Sequence, residues 1–208
     1  MNLSAIILAG GLSKRFGQDK GLVPLANKPL IKYVLEAVDQ IVDEKIVVVN
    51  SEAQADKFSK VLGNVKIAVD DLDVHSPLAG TASGFKVASG EYGILLPCDT
   101  PLISKEVLML LLDLCTSRNA VIPRWPNGYI EPLQAVYRVK PALEAAKNAL
   151  SEGKRDMRSM IERLRGVRYV STLVLQQLDP ELKFFTNVNT LLDLKRVEYM
   201  LKRLNLFK

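Results

Sequence analysis

The chain has 208 residues, enough for one sizeable core and short of what two independent domains usually need. Its 48% apolar and 25% charged residues are ordinary for a soluble globular protein, and 28 Lys and Arg against 23 Asp and Glu leave a net charge of only +5. Lys and Arg alternate with acids except near Lys154-Arg155 and the C-terminus, so small anions are better partners than nucleic acid.

In chain order, residues 4–8 open with a near-continuous apolar run of strand length, and 45–49, 65–69 and 93–96 repeat the pattern. Such runs belong to strands covered on both faces. Residues 8–20 form a loop rich in glycine and cations. Leu30, Ile31, Val34, Leu35, Val38, Ile41 and Val42 then fall at helical spacing, with Pro29 at the first turn. Ser51 and Gln54 stand in capping-box spacing at the start of a second helix. A third helix is expected after Gly80 and a fourth from Ser104, its cap, through Leu114. The apolar run 107–112 stops at Asp113, and the N-terminus lacks a charged-then-apolar layout, so no membrane partner and a cytoplasmic location are expected. Cys98 and Cys115 suit buried thiols better than a disulfide framework or a zinc site.

Beyond Ala120 the pattern changes. Residues 120–123 read as a strand, Pro126-Asn127-Gly128 as a turn and 129–137 as a returning strand, a β-ribbon in the sheet. Helices near 141–150 and 157–164, a short strand at 167–170 and a closing helix follow. That helix carries the stripe Leu194, Val197, Leu201 and Leu204, with Thr190 as its cap. The expected architecture is α/β, Rossmann-like and three-layered: one domain over 1–208, with a mostly parallel central sheet flanked by helices.

The loop reads Leu8-Ala9-Gly10-Gly11-Leu12-Ser13-Lys14-Arg15-Phe16-Gly17-Gln18-Asp19-Lys20. Glycine lets backbone N–H groups approach polyphosphate oxygens, and Arg15 and Lys20 add the charge that amides lack. Its place after the first strand of an α/β sheet is where ligands bind. The spacing excludes a P-loop, since Gln18 follows Gly17, and it excludes a Gly-x-Gly-x-x-Gly fingerprint. The loop resembles the signature of the molybdenum cofactor guanylyltransferases, the MobA family, and Asp19-Lys20 narrows the match toward them. The resemblance implies that Leu8, Ala9, Gly10, Gly11, Arg15 and Lys20 hold a nucleoside triphosphate.

Leu96-Pro97-Cys98-Asp99-Thr100-Pro101 places a carboxylate at a strand end, a seat for Mg²⁺ and equally a place for a turn residue. The family's Pro-Cys-Asp-x-Pro makes Asp99 the implied Mg²⁺ ligand. Asp70, with Asp71 as its rival, offers a carboxylate that accepts from the guanine N1–H and 2-amino group; both acids, with Asp73, also suit a solvated loop. Ser76-Pro77-Leu78-Ala79-Gly80 resembles the family's Gly-Pro-Leu-Ala-Gly, which implies GTP rather than CTP and contacts from Pro77 and Leu78. Asn50 stands where the family has an Asn beside the nucleotide.

The resemblance extends over Glu131-Pro132-Leu133-Gln134-Ala135-Val136-Tyr137 and Asn187-Val188-Asn189-Thr190, although Leu191 replaces the usual Pro. It implies a pterin substrate at Glu131, Asn187 and Asn189, with residues 1–119 a GTP-binding half and 120–208 a pterin half. Lys154-Arg155 and Arg158 suit a substrate phosphate or a solvated helix start, and Trp125 suits hairpin packing or a pterin platform. The implied reaction is transfer of GMP from GTP to molybdopterin, or molybdenum-molybdopterin, with Mg²⁺ as cofactor. Molybdoenzyme apoproteins or other cofactor-biosynthesis proteins are candidate partners. Competing readings are a nucleotidyltransferase using CTP or another NTP on molybdopterin, a sugar phosphate or cobinamide phosphate, and a non-catalytic nucleotide or pterin carrier.

Overall fold

The computed structural model describes residues 2–13, 16–70, 72 and 76–206, with no account of the side chains of 12, 13 and 204–206. Four parallel strands dominate: β1 (Leu3–Leu8), then β6 (Glu44–Val49), β7 (Lys66–Val69) and β8 (Tyr92–Pro97). Between β1 and β6 lie two small hairpins, β2 (Leu12–Ser13) with β3 (Gln18–Asp19) and β4 (Pro24–Leu25) with β5 (Lys28–Pro29), and helix α1 (Leu30–Val38). Helices α2 (Glu52–Leu62), α3 (Pro77–Val87) and α4 (Lys105–Cys115) connect the strands onward. The second half adds β9 (Ala120–Arg124), β10 (Ala135–Arg138), α5 (Val139–Ser151), α6 (Met157–Ile161), β11 (Val167–Ser171), α7 (Thr172–Leu175) and α8 (Leu191–Leu206).

One seven-stranded sheet joins both halves in the order β11-β9-β10-β8-β1-β6-β7. Within it β10 runs antiparallel to both β8 and β9, while β9 and β11 are parallel to each other. Side chains alternate across each strand. Ile7, Val47 and Leu96 therefore face α1, α2 and α4 on one side, and Ile6, Val48 and Leu95 face α3, α5 and α6 on the other. This is the expected three-layer α/β arrangement. A third, smaller cluster of Val23, Leu25, Leu30, Leu102, Val188 and Val197 packs α8 against the β4–β5 hairpin.

Several expected boundaries move. Helix α1 stops at Val38 rather than Val42, because Ile41 and Val42 both donate their N–H to the Val38 carbonyl in a tightened turn before β6. Helix α3 begins at Pro77, not after Gly80: Ser76 caps it by accepting the Ala79 N–H at 3.1 Å, and Pro77 fits the first turn. The expected strand 129–137 is interrupted, since only Ile130 bridges Arg124 and the Gln134 N–H bonds back to the Glu131 carbonyl. Helix α6 ends at Ile161 instead of 164. Thr190 does cap α8, with Thr190 Oγ accepting from the Asp193 N–H at 3.1 Å.

Candidate functional site

A cleft of about 330 Å³ opens at the carboxyl ends of β1, β6 and β8, lined by Leu8, Gly10, Gly11, Lys20, Asn50, Ser76, Pro77, Asp99 and Leu133 among others. Parallel strands deliver their following loops to one edge, so three separate sequence motifs arrive together. At the cleft Lys20 Nζ forms an ion pair with Asp99 Oδ2 and donates to Asn189 Oδ1 at 2.6 Å. Asn189 reaches this point because the buried Val188 packs in the third core cluster and donates its N–H to the Asp99 carbonyl at 2.9 Å. The Asn187–Asn189 turn is thereby tied to Lys20 and to the end of β8.

The other oxygen of Asp99, Oδ1, is buried without a hydrogen-bond partner. Among the described residues no group of three or more His, Cys, Asp or Glu could enclose a metal. A single carboxylate with a free oxygen fits Mg²⁺, which keeps waters and takes its remaining ligands from substrate phosphates. Neighbouring Cys98 lines the cleft, and burial holds its thiol far above the ordinary range, so it is no nucleophile near neutrality.

The loop is held from below. Asn50 Nδ2 donates to the Gly10 carbonyl, and a Cβ on Gly10 would lie 1.8 Å from Asn50 Oδ1. Gly11 is different: a Cβ there meets nothing within 4 Å, so no protein atom demands glycine at that position. The buried Asp19 carboxylate accepts from Gln54 Nε2 at 2.6 Å and from Lys57 Nζ at 3.0 Å. Gln54 Oε1 in turn accepts the Asn50 N–H at 2.8 Å, while the Gln54 N–H bonds to Ser51 Oγ. Only the return half of the capping box is thus shifted by one residue, and Gln54, signalled in the sequence as helix chemistry, and Lys57, not signalled there, support the loop.

A family model for the MobA-like NTP transferase domain matches residues 5–168. The chain belongs to this family. This MobA-like chain is 32% identical over 200 residues to a probable molybdenum cofactor guanylyltransferase of Methanosarcina mazei, covering 93% of this chain and 89% of that protein. It is also 32% identical over 203 residues to a molybdenum cofactor guanylyltransferase of Desulfosudis oleivorans, with 96% of each covered. Among solved structures it is similar to molybdopterin-guanine dinucleotide biosynthesis protein A of Archaeoglobus fulgidus, at a TM-score of 0.82 and 30% identity over 96% of this chain and 99% of that one.

Not every residue singled out from the sequence of this MobA-like chain faces the cleft. Ala9 is buried, with its N–H bonded to the Val48 carbonyl at 2.8 Å, and Leu78 points into the core beneath α3. Asp70 is also buried: Oδ1 accepts from Ser83 Oγ at 2.8 Å, while Oδ2 has no partner. Glu131 accepts the Trp125 indole N–H at 2.7 Å, and burial raises its carboxyl above the usual range. Trp125 also packs on Phe185 of the 183–185 turn, outside the hairpin, with ring centroids 5.5 Å apart. Asn187 is exposed, and so are Lys154, Arg155 and Arg158, none of which lines the cleft. Arg15, Lys14, Asp71 and Asp73 lie outside the described residues. Cys98 and Cys115 are buried free thiols, and among the described residues no helix is long and apolar enough to cross a membrane.

Proposed function

We propose that the chain transfers GMP from GTP to the terminal phosphate of molybdopterin, or of molybdenum-molybdopterin, releasing pyrophosphate and yielding the guanine dinucleotide form of the cofactor. The observation that carries this reading is the convergence of Lys20, Asp99 and Asn189 at the mouth of a glycine-lined cleft. Residues 1–119 hold the nucleotide and 120–208 the pterin, and Asn189 stands where the two substrates meet. The named relatives support the choice of substrates, and the family's biosynthetic setting supports a cytoplasmic location.

In this reading the acceptor phosphate oxygen forms a bond to the α-phosphorus as the α–β P–O bond breaks, and pyrophosphate carries away the electron pair. The nucleophile is already anionic, so no side chain has to remove a proton. The protein's task is alignment and charge neutralisation. Gly10 and Gly11, with Arg15, grip the triphosphate. Lys20 exchanges its ion pair with Asp99 for a phosphate oxygen. Mg²⁺ held by Asp99 would neutralise phosphate charge and fix its orientation. Asn50 and Pro77, which line the cleft, flank the base; Asp70, buried and off the cleft lining, would have to turn its unpartnered Oδ2 toward the guanine edge, with Asp71 as its rival, and Leu78 can contribute only its backbone. Asn189 serves the pterin at the cleft, flanked by Asn187 in the same turn and by Glu131 at the start of the 131–134 turn whose Leu133 lines the cleft.

Pyrophosphate release, followed with Mg²⁺ and each of GTP, CTP, ATP and UTP in the presence and absence of molybdopterin, tests this. Release from GTP that depends on molybdopterin is expected, with Asp99→Ala and Lys20→Ala each lowering turnover by about 10³-fold in a folded chain. Equal or faster release with CTP, or a fully active Asp99→Ala, overturns the assignment.

A further inference from the structure

We propose that Gln54 is a positioning residue that fixes both ends of the phosphate loop on the first turn of α2. The inference rests on the proposed nucleotidyl transfer and adds a residue that sets how tightly the nucleotide is held.

The loop begins at Gly10 and ends at Asp19-Lys20. Its two ends are brought together by the β2–β3 pairing, in which Leu12 lies opposite Asp19, and by the Lys20 N–H on the Gly11 carbonyl. Asp19 ends β3 and Lys20 opens a short 3-10 turn over residues 20–22, and their side chains part there: Lys20 reaches forward to Asp99 while Asp19 reaches back beneath the loop to α2. There the 5%-exposed Gln54 does two things with one amide. Nε2 donates to Asp19 Oδ1 at 2.6 Å, and Oε1 accepts the Asn50 N–H at 2.8 Å. Asn50 completes the circuit by donating Nδ2 to the Gly10 carbonyl. One side chain thus locates the start of the loop through Asn50 and its end through Asp19.

The chemistry selects glutamine for this task. Glutamate has no donor for Asp19, and lysine has no acceptor for the Asn50 N–H, whereas a primary amide offers both at one position. Loss of the amide strands a buried carboxylate oxygen and a backbone N–H, and the loop then shifts to rehydrate them. That shift moves the amides of Gly10 and Gly11 and the root of Lys20 together, and all three face the triphosphate. The adjacent Asp19 and Lys20 accordingly have separate duties, one anchoring the loop and the other meeting the nucleotide.

Calorimetric titration of the full-length chain with Mg·GTP, together with its thermal unfolding and steady-state kinetics, tests the inference. Gln54→Met preserves length and removes both hydrogen bonds. It is expected to weaken Mg·GTP binding about tenfold and to raise KM for GTP with the acceptor KM unchanged. Unaltered GTP affinity in Gln54→Met overturns the inference while leaving the nucleotidyl transfer intact. If Gln54→Met does not fold, Gln54→Lys carries the test, because it keeps a donor for the buried Asp19 carboxylate and loses only the acceptor for the Asn50 N–H. A loss of about threefold is expected there, and unchanged affinity overturns the inference. An unsubstituted chain that binds no nucleoside triphosphate removes the proposed function and this inference together.

Discussion

Gly10 and Gly11 are neighbours in the sequence with different reasons to be glycine. At Gly10 the protein itself forbids a side chain, because Asn50 occupies the space a Cβ would need. At Gly11 the space is open and lines the cleft, so a demand for glycine there would come from the proposed nucleotide. Gly10→Ala is therefore expected to lower stability by about 1–3 kcal/mol, as overpacking does. Gly11→Ala should leave stability within about 0.5 kcal/mol and weaken nucleotide binding about tenfold. Thermal unfolding beside a Mg·GTP titration separates the two. The sequence could mark both as loop glycines but could not divide their roles, since the difference lies in a side chain 40 positions away.

At the scale of elements, legibility followed the strength of the local signal. The four β-branched runs gave the parallel strands, and Ser51, Ser104 and Thr190 gave their helix starts, because a cap acts over three or four residues. The β4–β5 hairpin was silent. Its two-residue turn is Ala26-Asn27, with φ of 47° and 66°, and not the Asn-Gly or Asp-Gly pair that usually announces such a turn. Ala26 holds this left-handed conformation against steric cost, and its side chain is exposed. Ala26→Gly should therefore stabilise the chain by about 0.5–1 kcal/mol, to be measured by urea unfolding; a destabilised variant would refute the strain argument. The segment 129–137 misled for a related reason. It has strand composition, but Tyr137 donates its hydroxyl hydrogen to the Pro132 carbonyl at 2.7 Å, and Gln134 donates to the Phe184 carbonyl, so tertiary bonds fold it into a turn.

For the whole molecule, the sheet order and the meeting of Lys20 with Asn189 were beyond local pattern, since they depend on α8 docking against a hairpin near the other end of the chain. At the opposite, amino-end edge of the sheet, Glu44 gathers three segments: its carboxylate accepts from Ser4 Oγ at 2.8 Å, the Ser89 N–H at 2.9 Å and Lys66 Nζ at 3.1 Å. Burial alone would raise this carboxyl, but the hydrogen bonds from Ser89, Ser4 and Lys66 outweigh it and leave it below the usual range. A lowered folded-state value means the stabilisation is complete above the ordinary glutamate range and is lost as pH falls through the folded value. Glu44→Gln should cost about 1–2 kcal/mol near neutrality, shrinking in acid. Urea unfolding of both chains across the acid limb measures it, and a pH-independent difference would contradict the assignment.

The antiparallel direction of β10 has one more result. Because β10 begins where β8 ends, the 131–134 turn leads into β10 at the edge where β1, β6 and β8 finish, and Leu133 lines the same cleft as Gly10. The chain thus concentrates its chemistry along one rim, leaving the turns at the other rim, such as the exposed Gly63-Asn64, free to accept insertions, tags or evolutionary drift.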